Sequence, residues 1–182
     1  MNDWLIYGGG GHARVLADAI QANAKCLIAY FDDNLSVEAI KGIPVCPYNA
    51  DIATQANIII GIGHNETRRK IVAQIHHSFG TLIHPSAVIA DDVTIGEGSV
   101  VLAGAVIQSG AIIGRHVVIN ANVTIDHDAL IGDYCSIYPN AYIGGNAHIG
   151  AGVTVAACSV VDRSARINTV FNEENIMELG LY

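Results

Sequence analysis

An aliphatic residue returns every six positions from Ile83 to Ile167, and this repeat constrains the fold more than any other feature of the chain. All fifteen positions hold Ile or Val, with no insertion: Ile83, Ile89, Ile95, Val101, Ile107, Ile113, Ile119, Ile125, Ile131, Ile137, Ile143, Ile149, Val155, Val161 and Ile167. A period of six matches neither the turn of an α-helix nor a coiled-coil heptad. Because so short a unit cannot bury its apolar side chain alone, the units must stack on one another.

A second series follows four residues after each aliphatic position, and it is small or β-branched from Ala87 to Ala165. We therefore expect each hexad to form one short strand and one turn, with the aliphatic side chain inside and the small residue in the corner. Three hexads would make a coil of eighteen residues, giving about five coils joined by backbone hydrogen bonds. Five glycines follow an aliphatic position, where a turn would need a backbone without Cβ: Gly96, Gly114, Gly132, Gly144 and Gly150.

Residues 1–80 follow a different pattern. Apolar strands are predicted at residues 5–7, 26–31 and 58–62, and helices at residues 14–23 and from 67 to about 76. Such an alternation of strand and helix predicts a small α/β, Rossmann-like parallel sheet. We accordingly divide the chain into this domain, a β-helix over residues 81–170, and a tail over residues 171–182 that would cap the last coil.

The glycine-rich turn after the first strand fits the pattern G-x-G-x-x-A through Gly8, Gly10 and Ala13, with Asp32 further on. This pattern is typical of a dinucleotide site, but a unit of about 80 residues is better sized for one nucleotide. Three interpretations stay open: a tight turn only, an NAD-type site, and the favoured nucleotide or nucleotide-sugar site. In the last, backbone N–H groups would hold a diphosphate, and Asp32 or Asp33 a ribose or base.

The ordered combination of these motifs is specific. The chain reads Ile-Tyr-Gly-Gly-Gly-Gly-His-Ala, then Phe-Asp-Asp, then Gly-Ile-Gly-His-Asn-Glu-Thr-Arg, then the hexads. From residue 4 to about 161 it resembles the hexapeptide-repeat sugar acyltransferases, in the sialic acid O-acetyltransferase-like group that includes nucleotide-4-amino-sugar N-acetyltransferases. This resemblance implies a left-handed β-helix of triangular section, a homotrimer with sites between neighbours, acetyl-CoA as co-substrate, and a role in bacterial surface-glycan synthesis.

Acetyl transfer needs a base, and histidine suits that task near neutral pH. His127 occupies the third place of its hexad, between Asp126 and Asp128. His127 and Asp128 match the family's catalytic His and its acidic neighbour, although an ordinary surface histidine is the alternative. Gly145 lies eighteen residues after His127, so we expect it beside the imidazole on the next coil, leaving open space for the substrate or thioester.

The resemblance assigns the remaining site residues. The nucleotide sugar would contact Gly8, Gly10, Gly11, His12, Asp32, Asp33 and Asn120; the alternative for His12 is a helix cap. The cofactor would contact Gly145, Ser136 and Ala157, where Ser136 stands in place of a second His found in several members. We expect His116 and His148 to be solvated turn residues. Within the β-helix, none of the pairs His84/His116, His116/His127 and His127/His148 is spaced by whole coils, so no metal is predicted.

Composition excludes several function classes. The net charge is -8, with 9 Lys and Arg against 17 Asp and Glu, so the chain lacks the basic patch of a nucleic-acid binder. No apolar stretch has the length of a membrane span, and the N-terminus lacks the regions of a signal peptide. The four cysteines form no CxxC pair, so we expect buried thiols in a cytoplasmic protein.

Three functions remain from these observations. The first is an acetyl-CoA-dependent sugar N- or O-acetyltransferase. The second is a trimeric nucleotide-sugar binder or scaffold with impaired CoA binding, because the chain lacks the further coils and the Gly-Val-Pro-Ala-Lys-like tail expected of the family. The third is a metal-dependent β-helix enzyme of the carbonic anhydrase kind, which the histidine spacing argues against.

Overall fold

A computed structural model of the chain describes residues 3–33 and 37–168. The predicted cap over residues 171–182 lies outside the described residues. The N-terminal elements are β1 (Asp3–Tyr7), α1 (Gly11–Ala22), β2 (Cys26–Phe31), β3 (Ala39–Ile40), β4 (Ile43–Cys46), β5 (Asn57–Ile60) and α2 (Asn65–Val72). They form one sheet in the order β3-β4-β2-β1-β5, parallel except for the β3–β4 pair. This confirms the predicted small α/β domain.

Both helices begin earlier than predicted. Helix α1 begins at Gly11 rather than Arg14, because the glycine-rich turn itself enters the helix. Helix α2 begins at Asn65 rather than Thr67, since the His64 side chain caps it by accepting the backbone N–H of Thr67. It ends at Val72 instead of near residue 76. Among the described residues, no helix has the length and apolar character needed to span a membrane.

The repeat folds into fifteen two-residue strands. In chain order they are β6 (Leu82–Ile83), β7 (Val88–Ile89), β8 (Thr94–Ile95), β9 (Val100–Val101), β10 (Val106–Ile107), β11 (Ile112–Ile113), β12 (Val118–Ile119), β13 (Thr124–Ile125), β14 (Leu130–Ile131), β15 (Ser136–Ile137), β16 (Tyr142–Ile143), β17 (His148–Ile149), β18 (Thr154–Val155), β19 (Val160–Val161) and β20 (Arg166–Ile167).

These strands make three parallel five-stranded sheets, one on each face of the coil. Face 1 contains β6, β9, β12, β15 and β18. Face 2 contains β7, β10, β13, β16 and β19, and face 3 contains β8, β11, β14, β17 and β20. Partners are eighteen residues apart, as in Ile107 opposite Ile125. The predicted coil length, the five coils and the β-helix are therefore confirmed. Inside, the aliphatic positions and the small corner residues form one continuous apolar cluster.

The turns use two different positions of each hexad. The left-handed backbone falls on the third residue after each aliphatic position from Ile95 to Val161, where φ is between 54° and 75°, as at His116, Asp128 and Gly152. The glycines directly after the aliphatic residue have another cause. A Cβ on Gly96 or Gly132 would lie 2.6–2.7 Å from backbone atoms of the next coil, so these residues allow the coils to stack closely.

The N-terminal domain packs on the outer side of face 1. There Leu82, Val100 and Leu102 join Trp4 and Leu16 in one apolar cluster. Among the described residues, faces 2 and 3 have no such cover, and four of their outward apolar side chains are exposed: Val88, Ile112, Tyr142 and Val160. One face of the β-helix is therefore an internal interface, and two are surface.

Candidate active site

The corner between faces 2 and 3 carries a paired histidine and aspartate. His127 lies two residues after β13, and its Nδ1 is 2.7 Å from Oδ2 of Asp128. The two side chains are 37% and 58% exposed, so a substrate can approach them. A carboxylate at Nδ1 favours a proton there and leaves the lone pair of Nε2 available as a base. The corner thus contains a base together with its orienting acid.

A second carboxylate fixes the backbone of this corner. Asp126 accepts the N–H of His127 at 2.7 Å and the hydroxyl of Tyr142 at 2.8 Å. The backbone N–H of His127, followed by the Tyr142 hydroxyl, holds the pKa of Asp126 below its usual range. The hydrogen bond between the Tyr142 hydroxyl and Asp126 raises the pKa of Tyr142. Asp126 therefore remains ionised and orders the turn from which His127 projects.

Gly145 lies beside the imidazole of His127, at the position given by the eighteen-residue coil. The backbone N–H of Asn146 donates to the carbonyl of His127 at 3.0 Å, which fixes this stacking. A Cβ on Gly145 would lie 2.8 Å from Nε2 of His127. Gly145 therefore leaves room for the His127 ring, because a side chain there would crowd the imidazole. The space expected for a thioester stays a prediction.

The glycine-rich loop gathers at the carboxyl end of β1. Gly8 has φ 109°, and a Cβ there would lie 3.2 Å from the Gly61 carbonyl, so the two loops touch. The N–H of Gly9 donates to Asp32 at 2.5 Å, and the hydroxyl of Tyr7 donates to Asp33 at 2.7 Å. Both carboxylates thus lie at the same sheet edge as the loop.

The start of helix α1 is open for an anion. Its N-cap, Gly10, supplies no side-chain cap, and its first turn contains no acidic residue. A Cβ on Gly10 would meet no atom within 4 Å, whereas Gly11 faces Arg14 at 3.9 Å. Free backbone N–H groups at a helix start attract phosphate, so this geometry fits the predicted nucleotide site.

His12 follows in the same turn, but it does not cap the helix. Its Nε2 is buried, with no hydrogen-bond partner among the described residues. Burial, followed by the charge of Arg68, lowers the pKa of His12 to about 4. The neutral ring therefore offers one unsatisfied nitrogen beside the glycine-rich loop.

The other predicted site residues are dispersed over the β-helix. Asn120 and Ala157 lie at the corner between faces 1 and 2. Strand β13 separates Asn120 from His127. Nδ2 of Asn120 donates to the Ile137 carbonyl at 2.9 Å, while Ala157 is exposed. Within one chain the fold therefore does not bring these residues to His127.

Ser136 requires a correction. It was predicted to contact the cofactor, but it is 1% exposed on the covered face of the β-helix. Its hydroxyl donates to Oδ1 of Asn65 at 2.7 Å. Ser136 therefore joins the two halves of the chain, because the N-terminal domain packs directly over strand β15.

The prediction of a solvated His116 is also wrong. The residue is 3% exposed, and its ring packs edge-on against Phe79 at 4.6 Å and stacks on Tyr134 at 5.1 Å. Burial, followed by the charge of Arg68, lowers the pKa of His116 to about 4. The corner between faces 3 and 1 is covered by the N-terminal domain, which the repeat cannot reveal. His148 is half-buried on the outer side of face 3.

Arg68 has no role predicted from the sequence, although it is the last residue of the Gly-Ile-Gly-His-Asn-Glu-Thr-Arg motif. The guanidinium is buried and bonds to oxygen atoms of both halves of the chain. The position of Arg68 at the end of that motif was the available clue. In residues 3–33 and 37–168, no group of His, Cys, Asp and Glu side chains could hold a metal ion.

Two protein families match the chain, one in each half. The PglD N-terminal domain matches residues 3–75, and the bacterial transferase hexapeptide repeat matches residues 75–109 and 128–163. A curated relative is UDP-N-acetylbacillosamine N-acetyltransferase from Bacillus subtilis, 34% identical over 113 residues. That match covers 57% of this chain and 52% of the relative, so it spans about half the relative's length.

Solved structures agree over most of the chain. A mutant perosamine N-acetyltransferase from Caulobacter crescentus, in complex with CoA and GDP-perosamine, has a TM-score of 0.75 and 28% identity, covering 91% of this chain and 88% of that one. The acetyltransferase domain of PglB from Neisseria gonorrhoeae, in complex with acetyl coenzyme A, has a TM-score of 0.72 and 28% identity, covering 91% and 87%. Together with the His127–Asp128 corner and the glycine-rich loop, these matches show that the chain joins a PglD-type N-terminal domain to bacterial transferase hexapeptide repeats and is similar to sugar N-acetyltransferases.

Proposed function

We propose that this protein transfers the acetyl group of acetyl-CoA to the amine of a nucleotide-linked amino sugar. The observation that carries the proposal is the contact of His127 Nδ1 with Asp128 at an open corner of the hexapeptide β-helix. Relatives with this architecture are named as sugar N-acetyltransferases and bind CoA and GDP-perosamine, or acetyl coenzyme A. The chemistry of the corner and the nature of the relatives thus support the same reaction.

His127 is the general base of this reaction. Asp128 holds a proton on Nδ1, so Nε2 takes a proton from the sugar amine as the nitrogen attacks the thioester carbonyl. The carbon–sulfur bond then breaks, and the proton passes from Nε2 to the departing thiolate of CoA. The products are the N-acetylated sugar and free CoA, with no metal in the balance. Gly145 and Ala157 line the cofactor side, whereas Ser136 is too buried to take part.

The N-terminal domain holds the nucleotide. The backbone N–H groups of Gly10 and Gly11 at the start of α1 bind the diphosphate. Gly8 contributes to the site through its position in the loop, because its own N–H donates to the Phe31 carbonyl. Asp32 and Asp33 at the same sheet edge accept hydrogen bonds from ribose or base, and His12 lies in the same turn, beside the diphosphate or sugar.

A homotrimer completes the site. The exposed apolar side chains Val88 and Val160 on face 2, and Ile112 on face 3, favour burial between neighbouring β-helices. Such packing places the corner of His127 in one chain beside the corner of Asn120 in the next, and Asn120 then lines the sugar site. Since acetyl-CoA and nucleotide sugars are cytoplasmic metabolites, we place the enzyme in the cytoplasm, in bacterial surface-glycan synthesis.

A panel assay tests this function. Release of CoA thiol is followed with acetyl-CoA and UDP-, dTDP- or GDP-linked amino sugars, and the matched nucleotide sugars with a hydroxyl in place of the amine are the control. We expect release with an amino sugar and none with its hydroxyl counterpart. Release with the hydroxyl sugar alone would instead identify an O-acetyltransferase.

The alternative is a nucleotide-sugar binder with impaired CoA binding. The burial of Ser136, where several family members carry a cofactor-binding histidine, is the observation in its favour. Calorimetry separates the two functions: nucleotide-sugar binding without any heat from high-micromolar acetyl-CoA, and without CoA release, would favour the binder.

A further inference from the structure

Arg68 is a buried cation without an acidic partner among the described residues. It is 1% exposed and is the largest of the fully buried side chains. Burial lowers its pKa to about 10, so the guanidinium still carries its charge at neutral pH. A buried charge is tolerated only where hydrogen bonds replace its water shell. The partners of Arg68 therefore indicate why it is kept in this position.

The guanidinium bonds to two coils of the β-helix. Its Nε donates to the carbonyl of His116 at 3.0 Å, and its Nη2 donates to the carbonyls of Tyr134 and Cys135 at 2.9 Å and 3.2 Å. Residues 116 and 134 are eighteen apart and lie at the same corner. The planar fork of Arg68 thus spans the gap between successive coils, which a single ammonium nitrogen cannot do.

The opposite side of the same guanidinium bonds to the N-terminal domain. Its Nη1 donates to the carbonyls of Ile62 and Gly63 at 3.1 Å and 3.0 Å, and its Nη2 also donates to Oδ1 of Asn65 at 2.7 Å. Asn65 extends the contact to a third coil, because its Nδ2 donates to the Gly152 carbonyl at 2.9 Å. The side chains of Asn65 and Arg68, which are hydrogen-bonded to each other, therefore attach the start of α2 to three coils.

This attachment reaches the glycine-rich loop directly. The N–H of Gly61 donates to the Tyr7 carbonyl at 2.7 Å, and a Cβ on Gly8 would lie 3.1 Å from the Ile62 side chain. The charge of Arg68 also acts on the ring of His12. The loop bonded by Arg68 is thus in contact with the loop that would hold the diphosphate.

We propose that Arg68 is a positioning residue that holds the nucleotide-binding loop at one fixed place on the β-helix, and thereby sets the reach of the bound sugar amine to the acetyl-transfer corner. The inference rests on the proposed function. Arg68 lies at the corner between faces 3 and 1, so it does not share the corner of His127 and acts through the placement of the substrate. Loosening this joint lets the loop keep its nucleotide while the amine loses its alignment with the thioester.

The substitution Arg68→Lys tests the proposal, with Arg69→Lys as matched control at the next, exposed position of the same helix. Lysine keeps the charge but leaves several of the carbonyls unpaired. We expect kcat for the nucleotide-linked amino sugar to fall about 10- to 100-fold, because small misplacements of reacting groups have effects of that size. The Kd of the matching nucleoside diphosphate, by calorimetry, and the KM of acetyl-CoA should change by less than about threefold. Arg69→Lys should change none of these.

A second variant guards against a simple loss of folding. Asn65→Ala removes the contact with Gly152 and the acceptor for Arg68 but leaves the guanidinium in place, and we expect a smaller fall in kcat with the nucleoside diphosphate still bound. Circular dichroism and size-exclusion chromatography should match the wild type. An unchanged kcat in both variants, or a loss of nucleotide affinity in proportion to the loss of kcat, overturns the inference alone. A wild-type protein that acetylates no sugar overturns the proposed function and this inference with it.

Discussion

Two histidines of the β-helix, His116 and His127, lie on neighbouring corners and have opposite surroundings. His116 is buried between Phe79 and Tyr134, and its Nδ1 has no hydrogen-bond partner among the described residues. His127 is partly exposed, and its Nδ1 contacts Asp128. The comparison teaches that the repeat supplies equivalent corners, and the neighbouring domain decides which corner is available for chemistry.

The largest expected effect comes from the open corner. His127→Ala should lower the rate of acetyl transfer about 1000-fold, because a positioned general base typically contributes a factor of 10² to 10⁴. The rate of CoA release measures it, and His76→Ala, at an exposed position outside both corners, is the control. Size-exclusion chromatography should show an unchanged assembly. Near-normal activity in His127→Ala would remove this residue from the mechanism.

At the covered corner, the titration of His116 should change the stability of the fold with pH rather than the rate of acetyl transfer. The folded-state pKa of His116 is about 4, below its ordinary value of 6.5, so the unfolded chain binds more protons between these values. Stability is therefore complete above pH 6.5 and falls as the pH drops towards 4, by up to about 3 kcal/mol for this residue. Arg68 and Arg115 disfavour the protonated ring, and Asp133 opposes them.

Urea unfolding at pH 7.5, 6 and 5 measures this loss. His116→Asn suits the left-handed backbone at φ 54° and should flatten the pH dependence, while lowering stability at pH 7.5 because the aromatic packing is lost. Part of the slope should remain, since the pKa of His12 is also lowered to about 4. Equal slopes in the variant and the wild type would show that His116 does not titrate in this way.

A smaller effect should follow from the acid partner at the open corner. Asp128→Asn keeps an acceptor and suits φ 59°, but it removes the charge that stabilises a protonated His127. We expect the rate of transfer to fall about 10-fold, which is part of the contribution of the base. The control is Asp133→Asn, which removes a carboxylate paired with Arg115 elsewhere on the β-helix and should leave the rate unchanged. A full rate in Asp128→Asn would mean that the carboxylate does not assist His127.

The smallest effect is expected at the glycine beside the imidazole. In Gly145→Ala the new Cβ would lie 2.8 Å from Nε2 of His127, and the ring can move aside because its tip is partly exposed. We expect the rate to fall only a few-fold, roughly 1 kcal/mol of transition-state stabilisation. In a His127→Ala background the same change should have no further effect. An additive loss in the double variant would mean that Gly145 acts on the cofactor independently.

Most of the β-helix could be predicted from the sequence, because one aliphatic position in six leaves only one way to bury the core. The sequence also indicated that the glycines directly after the aliphatic residue supply a backbone without Cβ, but it did not indicate that the left-handed residues lie two positions further on. The starts of α1 and α2 were placed late, because the loop glycines and the His64 cap enter the helices. These errors are local and did not alter the architecture.

Some residues of the candidate site could likewise be predicted from the sequence, and others could not. The sequence predicted His127 with Asp128, because both residues lie within one hexad and their contact depends on local turn geometry. It could not predict the burial of Ser136 and His116 or the role of Arg68, because each depends on where the N-terminal domain packs. Asn65 and Ser136 are 71 residues apart, and no short-range pattern indicates their contact.

The sequence by itself determined the coil, its eighteen-residue register and the pairing of a base with an acid, because each of these depends on neighbours within one or two repeats. The tertiary structure alone decided which face is covered, which corner stays open and which cation lies between the two halves. The physical reason is that the hexads repeat the same geometry on all three faces, so only the apolar and hydrogen-bonded contacts of the N-terminal domain make the faces unequal.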